Sequence, residues 1–297
     1  MSGGGPATLQ IYGAGRTGLA VARLAAERGV PLAGVWNRSP LSGARAELAQ
    51  GLPVSSGGPL IPVAAGIWLL AVSDDAIAGV ASELAAGLAG GPRPRAVAHC
   101  AGARPVDDLD ALRQAGVPCA TWHPAMTFRG VRSDSGALAG ACAAIAGDPE
   151  ARTAMAALSE ALGVGWHPLV AAHEPRYHSA LVLAANGRVI LEASARRLLA
   201  DAGLDAATIR RVLDPLVART EENLRAADPV EALTGPVARG DAETVRATLD
   251  ALRDHPEIER LYRALAAAAL TLVPASARVD GHRTLAALIE TEAPQSW

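Results

Sequence analysis

The chain has 297 residues, half of them hydrophobic and 19% charged, which suffices for about two domains with sizeable cores and excludes a wholly disordered protein. Its net charge of −3 carries no basic bias, so neither nucleic acid nor membrane is expected as a partner. All 27 basic residues are arginine and none is lysine, which excludes a Schiff base, a P-loop lysine and any lysine proton donor.

With 67 alanines and nine aromatic residues, the core must be built mainly from Leu, Val, Ile and Ala. Cys100, Cys119 and Cys142 lack CxxC spacing and sit in apolar segments, as structural thiols of a reduced, cytoplasmic protein do. Met1–Pro6 has no apolar signal-peptide core, and stretches such as Ile61–Val72 fall short of the ~20 residues that cross a bilayer. A soluble, cytoplasmic protein is expected.

In chain order, Thr8–Tyr12 reads as a strand and Thr17–Glu27 as a helix closed by Gly29. Leu32–Trp36, Ile67–Val72, Ala96–Cys100 and Val117–Trp122 read as further strands. Helical segments near Gly43–Ala49, Asp75–Leu88 and Val106–Gln114 lie between them, with loops at Gly51–Leu60 and Gly90–Pro94. Ala141–Ile145, a helix over Pro149–Leu162 and a strand near Val164–Pro168 complete an α/β domain of the Rossmann type with a parallel sheet. From Glu174 onward only helical periodicity remains, over Glu174–Ala202, Ala206–Ala227, Ala242–Arg253, Glu257–Leu272 and Arg283–Glu290. The expected organisation is a dinucleotide-binding domain over residues 1–170 and an all-helical domain over 171–297.

Gly13-Ala14-Gly15-Arg16-Thr17-Gly18 is a GxGxxG string placed between a strand and a helix. Gly13 permits a tight turn, Gly15 lets a pyrophosphate approach the backbone, and Gly18 lets helix and strand pack closely. The helix start then offers free amides to the phosphates. At the end of the second strand, where an acidic residue would select NAD, the chain has Asn37-Arg38-Ser39, a guanidinium and a hydroxyl suited to a 2′-phosphate. Arg16 adds charge to the glycine loop. NADP is the expected cofactor.

Ligands of open parallel sheets bind beyond the carboxyl ends of the strands. Val72 and Ser73 end the third predicted strand, where the turn either lines the nicotinamide ribose or caps a helix. His99 reads as a core histidine, and Gly102 as a point of close backbone approach. His123, fixed by Pro124, reads either as structural or as touching substrate. On the first helix of the second region, His178 and Asn186 are eight residues apart, about 12 Å of rise and 80° of rotation, so both can face one cleft. His178 is the candidate proton donor and Asn186 the candidate carbonyl holder; an interhelical bond is the structural alternative for Asn186. Thr234 and Arg239, within Leu233–Asp241, are candidates for binding a substrate carboxylate, with a surface salt bridge the equal alternative for Arg239, while Asp241 reads as a helix start. No metal-ligand spacing occurs among the seven histidines.

Together these segments resemble a bacterial family of Rossmann-like proteins with a C-terminal helical domain of unknown function 2520. The resemblance runs over nearly the whole chain. It is carried by Ile11–Gly18, Ala71–Ile77, His99–Gly102, His123–Phe128, and most specifically Tyr177–Asn186 and Leu233–Asp241. The family is similar to ketopantoate reductase and pyrroline-5-carboxylate reductase, which implies an NADP-dependent oxidoreductase. Its genes often neighbour pantothenate-synthesis genes, which makes ketopantoate the first substrate candidate.

Ala101 departs from the family pattern, where a serine is common. Ketopantoate reductases place a lysine and asparagines at the rhythm occupied here by His178, Val182 and Asn186, so the lysine is replaced. The leading expectation is reduction of a small 2-oxo acid with a carboxylate, protonated by His178 with His123 in reserve. Reduction of a cyclic imine, or an NADP-binding sensor without turnover, are the alternatives. The resemblance to pyrroline-5-carboxylate reductase also implies a homodimer through the helical domain, with Ala264–Ala269 as a close-approach segment.

Overall fold

The computed structural model describes residues 7–57 and 60–290, so Met1–Pro6 lies outside the described residues. Eight strands form one sheet: β1 (Leu9–Tyr12), β2 (Leu32–Asn37), β3 (Val54–Ser56), β4 (Ile67–Leu70), β5 (Ala96–His99), β6 (Cys119–Pro124), β7 (Cys142–Gly147) and β8 (Gly165–Pro168). Their order is β3-β2-β1-β4-β5-β6-β7-β8. All neighbours pair in parallel except β6 and β7, where Thr121 faces Ala146 and Pro124 faces Ala143 in antiparallel register. A mostly parallel sheet thus replaces the expected parallel one. The hydrophobic pattern of a strand reports its faces but not its direction, so the reversal at β7 was not readable.

Between the strands lie α1 (Arg16–Glu27), α2 (Ala44–Leu48), α3 (Ile77–Ala86), α4 (Asp110–Gln114), α5 (Asp134–Ala139) and α6 (Pro149–Leu162). Side chains alternate across the sheet. Leu9, Ile11, Ile67, Leu69, Ala98 and Trp122 meet α1, α5 and α6 on one face. Tyr12, Trp68, Leu70, Val97 and Cys119 meet α3 and α4 on the other. Two polar contacts tie the sheet to its helices: Trp122 Nε1 donates to Ser159 Oγ at 2.8 Å, and Asp148 Oδ2 accepts from the Cys119 amide at 2.8 Å. Two elements differ from the sequence reading. β3 lies in the expected loop Gly51–Leu60, and α5 lies where no helix was expected; both are too short for periodicity to register.

The rest is helical: α7 (Glu174–Val182), α8 (Arg188–Asp201), α9 (Ala206–Ala226), α10 (Pro229–Ala232), α11 (Pro236–Arg239), α12 (Ala242–Ala251), α13 (Pro256–Leu272) and α14 (Asp280–Glu290). Among the described residues no helix is long and apolar enough to cross a membrane. A π-helical turn, Leu183–Gly187, joins α7 to α8. The chain divides into two compact units, Met1–Arg188 and Val189–Trp297. The sheet ends at Pro168, close to the composition change at residue 170, yet α7 belongs to the first unit because it is bonded to β6.

In the second unit, Gly235 (φ +93°) starts α11 and Gly240 (φ +74°) ends it, and Asp241 accepts from the Thr244 amide at 3.0 Å as the cap of α12. Hydrogen bonds to Thr244, followed by the charge of Arg239, hold the Asp241 carboxyl below its ordinary value. His282 closes this unit, accepting from the Val279 amide at Nδ1 and bonding the Ala238 carbonyl through Nε2.

Candidate active site

The glycine loop is built as its spacing predicts. Gly13 has φ +112°, and a Cβ there would collide with the Ala71 carbonyl; a Cβ on Gly18 would collide with the Gly13 carbonyl. The fold therefore demands glycine at both positions. Gly15 is different: its φ is −78°, and a Cβ added there would find only the Ala71 oxygen, at 3.8 Å. Nothing in the protein requires glycine at Gly15, which leaves its backbone open to close approach by a ligand. No side chain caps α1 and no acidic residue lies in its first turn, so the amides of Arg16, Thr17 and Gly18 are left for an anion. These features fit a dinucleotide.

Asn37 is tied into the protein at both ends of its amide. Its Oδ1 accepts from the Ala14 amide at 3.0 Å and its Nδ2 donates to the Ser39 carbonyl at 2.6 Å, bracing the glycine loop against the β2–α2 turn. Arg38 and Ser39 are exposed beside it. Arg16 is exposed too, with its stem lying against Gly130 rather than along β2. Ser73 is exposed and Val72 half-buried; Ser73 stands at the N-cap position of a 3₁₀ turn, Asp74–Ala76, that leads into α3, without a side-chain capping bond.

The structure brings His123 and His178 together, although 55 positions separate them in the chain. Their rings are 5.7 Å apart between centroids and inclined at 64°. Gly102 makes this meeting possible. A Cβ on Gly102 would lie 2.6 Å from Cε1 and Nε2 of His123 and closer still to Nδ1 of His178. The sequence signal at Gly102 was close backbone approach, and the approaching groups are two imidazoles.

The two rings hold their protons differently. His123 Nδ1 is 3.0 Å from the Cys100 carbonyl, so Nδ1 carries the proton and Nε2 a lone pair. His178 Nδ1 is buried without a partner. A buried N–H without an acceptor is rarer and costlier than a bare lone pair, which places the His178 proton on Nε2. One ring thus accepts and the other donates. Burial first, then the neighbouring His178, lowers His123 from the ordinary imidazole range, against the Cys100 bond that raises it.

Sequence reasoning missed Tyr177 and His167. Tyr177 stacks edge-on to His123 at 6.5 Å, and its hydroxyl lies 3.2 Å from His167 Nε2. Burial raises the Tyr177 phenol above its ordinary value. His99, fully buried, bonds the Pro105 carbonyl at 3.1 Å and is lowered by burial, in keeping with the core reading.

The π turn changes the geometry of Asn186. It packs an extra residue into one turn, which reduces the rotation from His178 to Asn186 from about 80° to roughly 25°. Asn186 is exposed. Thr234 and Arg239 belong to the second unit and are exposed there.

With this geometry in hand, the chain can be compared with known proteins. Residues 141–269 match the family described as "Domain of unknown function (DUF2520)". The resemblance expected from the sequence therefore holds over that stretch, which runs from β7 into α13. No curated protein matches the sequence significantly.

Among solved structures, a Bacteroides fragilis protein provisionally described as an NADP oxidoreductase is 22% identical, with a TM-score of 0.72 over 89% of this chain and 97% of that one. An imine reductase from Myxococcus stipitatus in complex with NADP+ is 18% identical, with a TM-score of 0.61 over 88% and 91%. A pyrroline-5-carboxylate reductase from Coxiella burnetii is 14% identical, with a TM-score of 0.55 over 91% and 100%. These likenesses establish the fold, a Rossmann-like sheet followed by a helical region.

Proposed function

We propose that the protein is an NADPH-dependent reductase of a small imine. Gly13–Gly18 and the α1 amides would hold the pyrophosphate, Arg38 and Ser39 the 2′-phosphate, and Val72 and Ser73 the nicotinamide ribose. When bound, the cofactor supplies the hydride. Support comes from the glycine at position 15 that the fold itself does not need, and from similarity to structures described as NADP-dependent and imine-reducing.

The observation that favours C=N over C=O is the buried, partnerless Nδ1 of His178. Reducing a carbonyl requires a group that surrenders a proton. His178 could do so cleanly only from a doubly protonated ring, and that ring would press an N–H without an acceptor against Gly102, costing about 1–3 kcal/mol. A protonated imine brings its own proton. Its N–H would be accepted by His123 Nε2, the lone pair kept bare by the Cys100 bond, while the His178 Nε2–H and Asn186 orient the rest of the substrate.

The second reading is reduction of a 2-oxo acid, ketopantoate first; Thr234 and Arg239, the carboxylate candidates, are exposed on the second unit. NADPH oxidation measured against a panel of cyclic imines and 2-oxo acids separates the readings. Turnover of imines alone is expected. Turnover of 2-oxo acids alone would overturn the proposal, and NADPH binding without turnover of either would favour a sensor.

We also propose a homodimer through the helical unit. Val189 and Ile190 on α8 and Leu216 on α9 are 69%, 55% and 61% exposed, apolar side chains that a second copy would cover.

A further inference from the structure

Helix α7 and strand β6 are joined by two successive rungs. At the first, Thr121 Oγ1 donates to Glu174 Oε1 at 2.5 Å, and both residues are buried, at 2% and 7% exposure. At the second, His123 meets His178 across Gly102. Two residues of strand separate Thr121 from His123, an advance of about 6.6 Å. Four residues of helix separate Glu174 from His178, an advance of about 6.0 Å. The two steps match to within about 1 Å, so the element that fixes the first rung also fixes the second.

An apolar residue at position 174 would dock the first turn of α7, but apolar contacts tolerate sliding and rotation. A short bond between a hydroxyl and a carboxyl is directional. Keeping a carboxyl in a buried place is costly, and burial duly raises Glu174 despite the Thr121 bond. Tyr177 ties the flank of the same helix to His167 on β8. The Tyr177 tie constrains rotation, whereas the Glu174 bond lies one turn before His178 and sets its axial position.

We propose that Glu174, through Thr121, is a positioning residue that fixes the register of α7 on β6 and thereby the placement and single tautomer of His178. Its catalytic consequence rests on the reductase reading above; its structural consequence does not. The test uses the full chain with ¹⁵N-labelled histidine, in Thr121→Val, Glu174→Ala and Glu174→Gln, the last of which keeps an acceptor for the hydroxyl.

Imidazole NMR reports the tautomers of His123 and His178 without requiring turnover. In Thr121→Val and Glu174→Ala, His178 should move from one tautomer to a mixture, and kcat for imine reduction should fall about 10²-fold. KM for NADPH should stay within about twofold, since the glycine loop is untouched. Glu174→Gln should restore both signals. A Thr121→Val protein whose melting temperature falls while His178 keeps its tautomer would overturn the proposal. If Glu174→Ala does not fold, Thr121→Val and Glu174→Gln still decide. If no imine is reduced by the wild type, the NMR result stands alone and the failure belongs to the reductase reading.

Discussion

The two compact units bury apolar surface very unequally. Among the described residues, the first unit assembles one cluster of 26 buried apolar residues on one face of the sheet and another of 15 on the opposite face. The second gathers five: Val237, Val245, Leu249, Ala266 and Leu285. Helix α8 has no buried residue, and α9 buries only Ile209 and Leu213 while Val212, Leu216 and Leu224 are 44%, 61% and 46% exposed. Even with Ile209, Leu213, Leu252, Ile258 and Val273 buried outside that cluster, the second unit has a thin core to set against the chain entropy of some hundred residues, each costing about 1–2 kcal/mol to order. The sheet unit is a self-sufficient scaffold. The helical unit leaves more of its apolar surface exposed, which is the ground for the homodimer proposed above.

The largest effect expected from this contrast is on the glycine loop. Gly18→Ala should lower NADPH affinity about 100-fold or abolish folding, because its Cβ meets backbone. Gly15→Ala should leave the melting temperature unchanged and still weaken NADPH binding about tenfold or more, since only the ligand approaches it closely. Titration of NADPH fluorescence beside thermal melts checks both, and a Gly15→Ala protein that binds normally would remove the argument for the cradle.

Next comes the histidine pair. Gly102→Ala should displace both imidazoles without backbone strain and reduce turnover about 10²-fold, while NADPH affinity stays within about twofold. His123→Ala should lose turnover by a similar factor if its Nε2 holds the substrate. Steady-state kinetics on the two variants decide, and full activity in Gly102→Ala would detach the pair from chemistry.

A charge placed on the helical unit tests the other half of the comparison. Leu216→Glu should convert a dimer to monomers by light scattering and lower the stability of the helical unit by about 1–3 kcal/mol. NADPH binding should survive, since the sheet unit has its own core. A wild type that is monomeric at micromolar concentration would refute the covering argument.

The smallest effect concerns acid. His99 and His123 both have folded-state values lowered by burial, so the unfolded chain binds their protons first. Stability is unaffected above the unfolded value of about 6.5 and falls as pH drops below it. Melting temperatures between pH 7.5 and 5 should decline, and replacing His99 with an apolar residue should flatten the decline.

Much of the frame was legible because periodicity is local. α6 falls at Pro149–Leu162 as read, and β1, β2, β4 and β5 lie within a residue or two of their expected bounds. β3 and α5 escaped because three and six residues carry too little pattern. The π turn escaped because it changes hydrogen-bond spacing without changing composition. In the site, the place of the glycine loop between strand and helix was legible, whereas the bond by which Asn37 braces the Ala14 amide was not, because it spans 23 positions.

Sequence alone determined that the protein is an α/β domain followed by helices, that a GxGxxG loop sits between the first strand and the first helix, and that lysine takes no part in its chemistry. Each of these depends on neighbours along the chain or on composition. Only the tertiary structure decided that His123 and His178 meet, that Gly102 makes room for them, and that Glu174 and Thr121 form the rung before them. The physical reason is that a tautomer is set by whatever carbonyl, glycine or carboxyl lies across space, and the Thr121–Glu174 bond spans 53 positions that no local pattern connects.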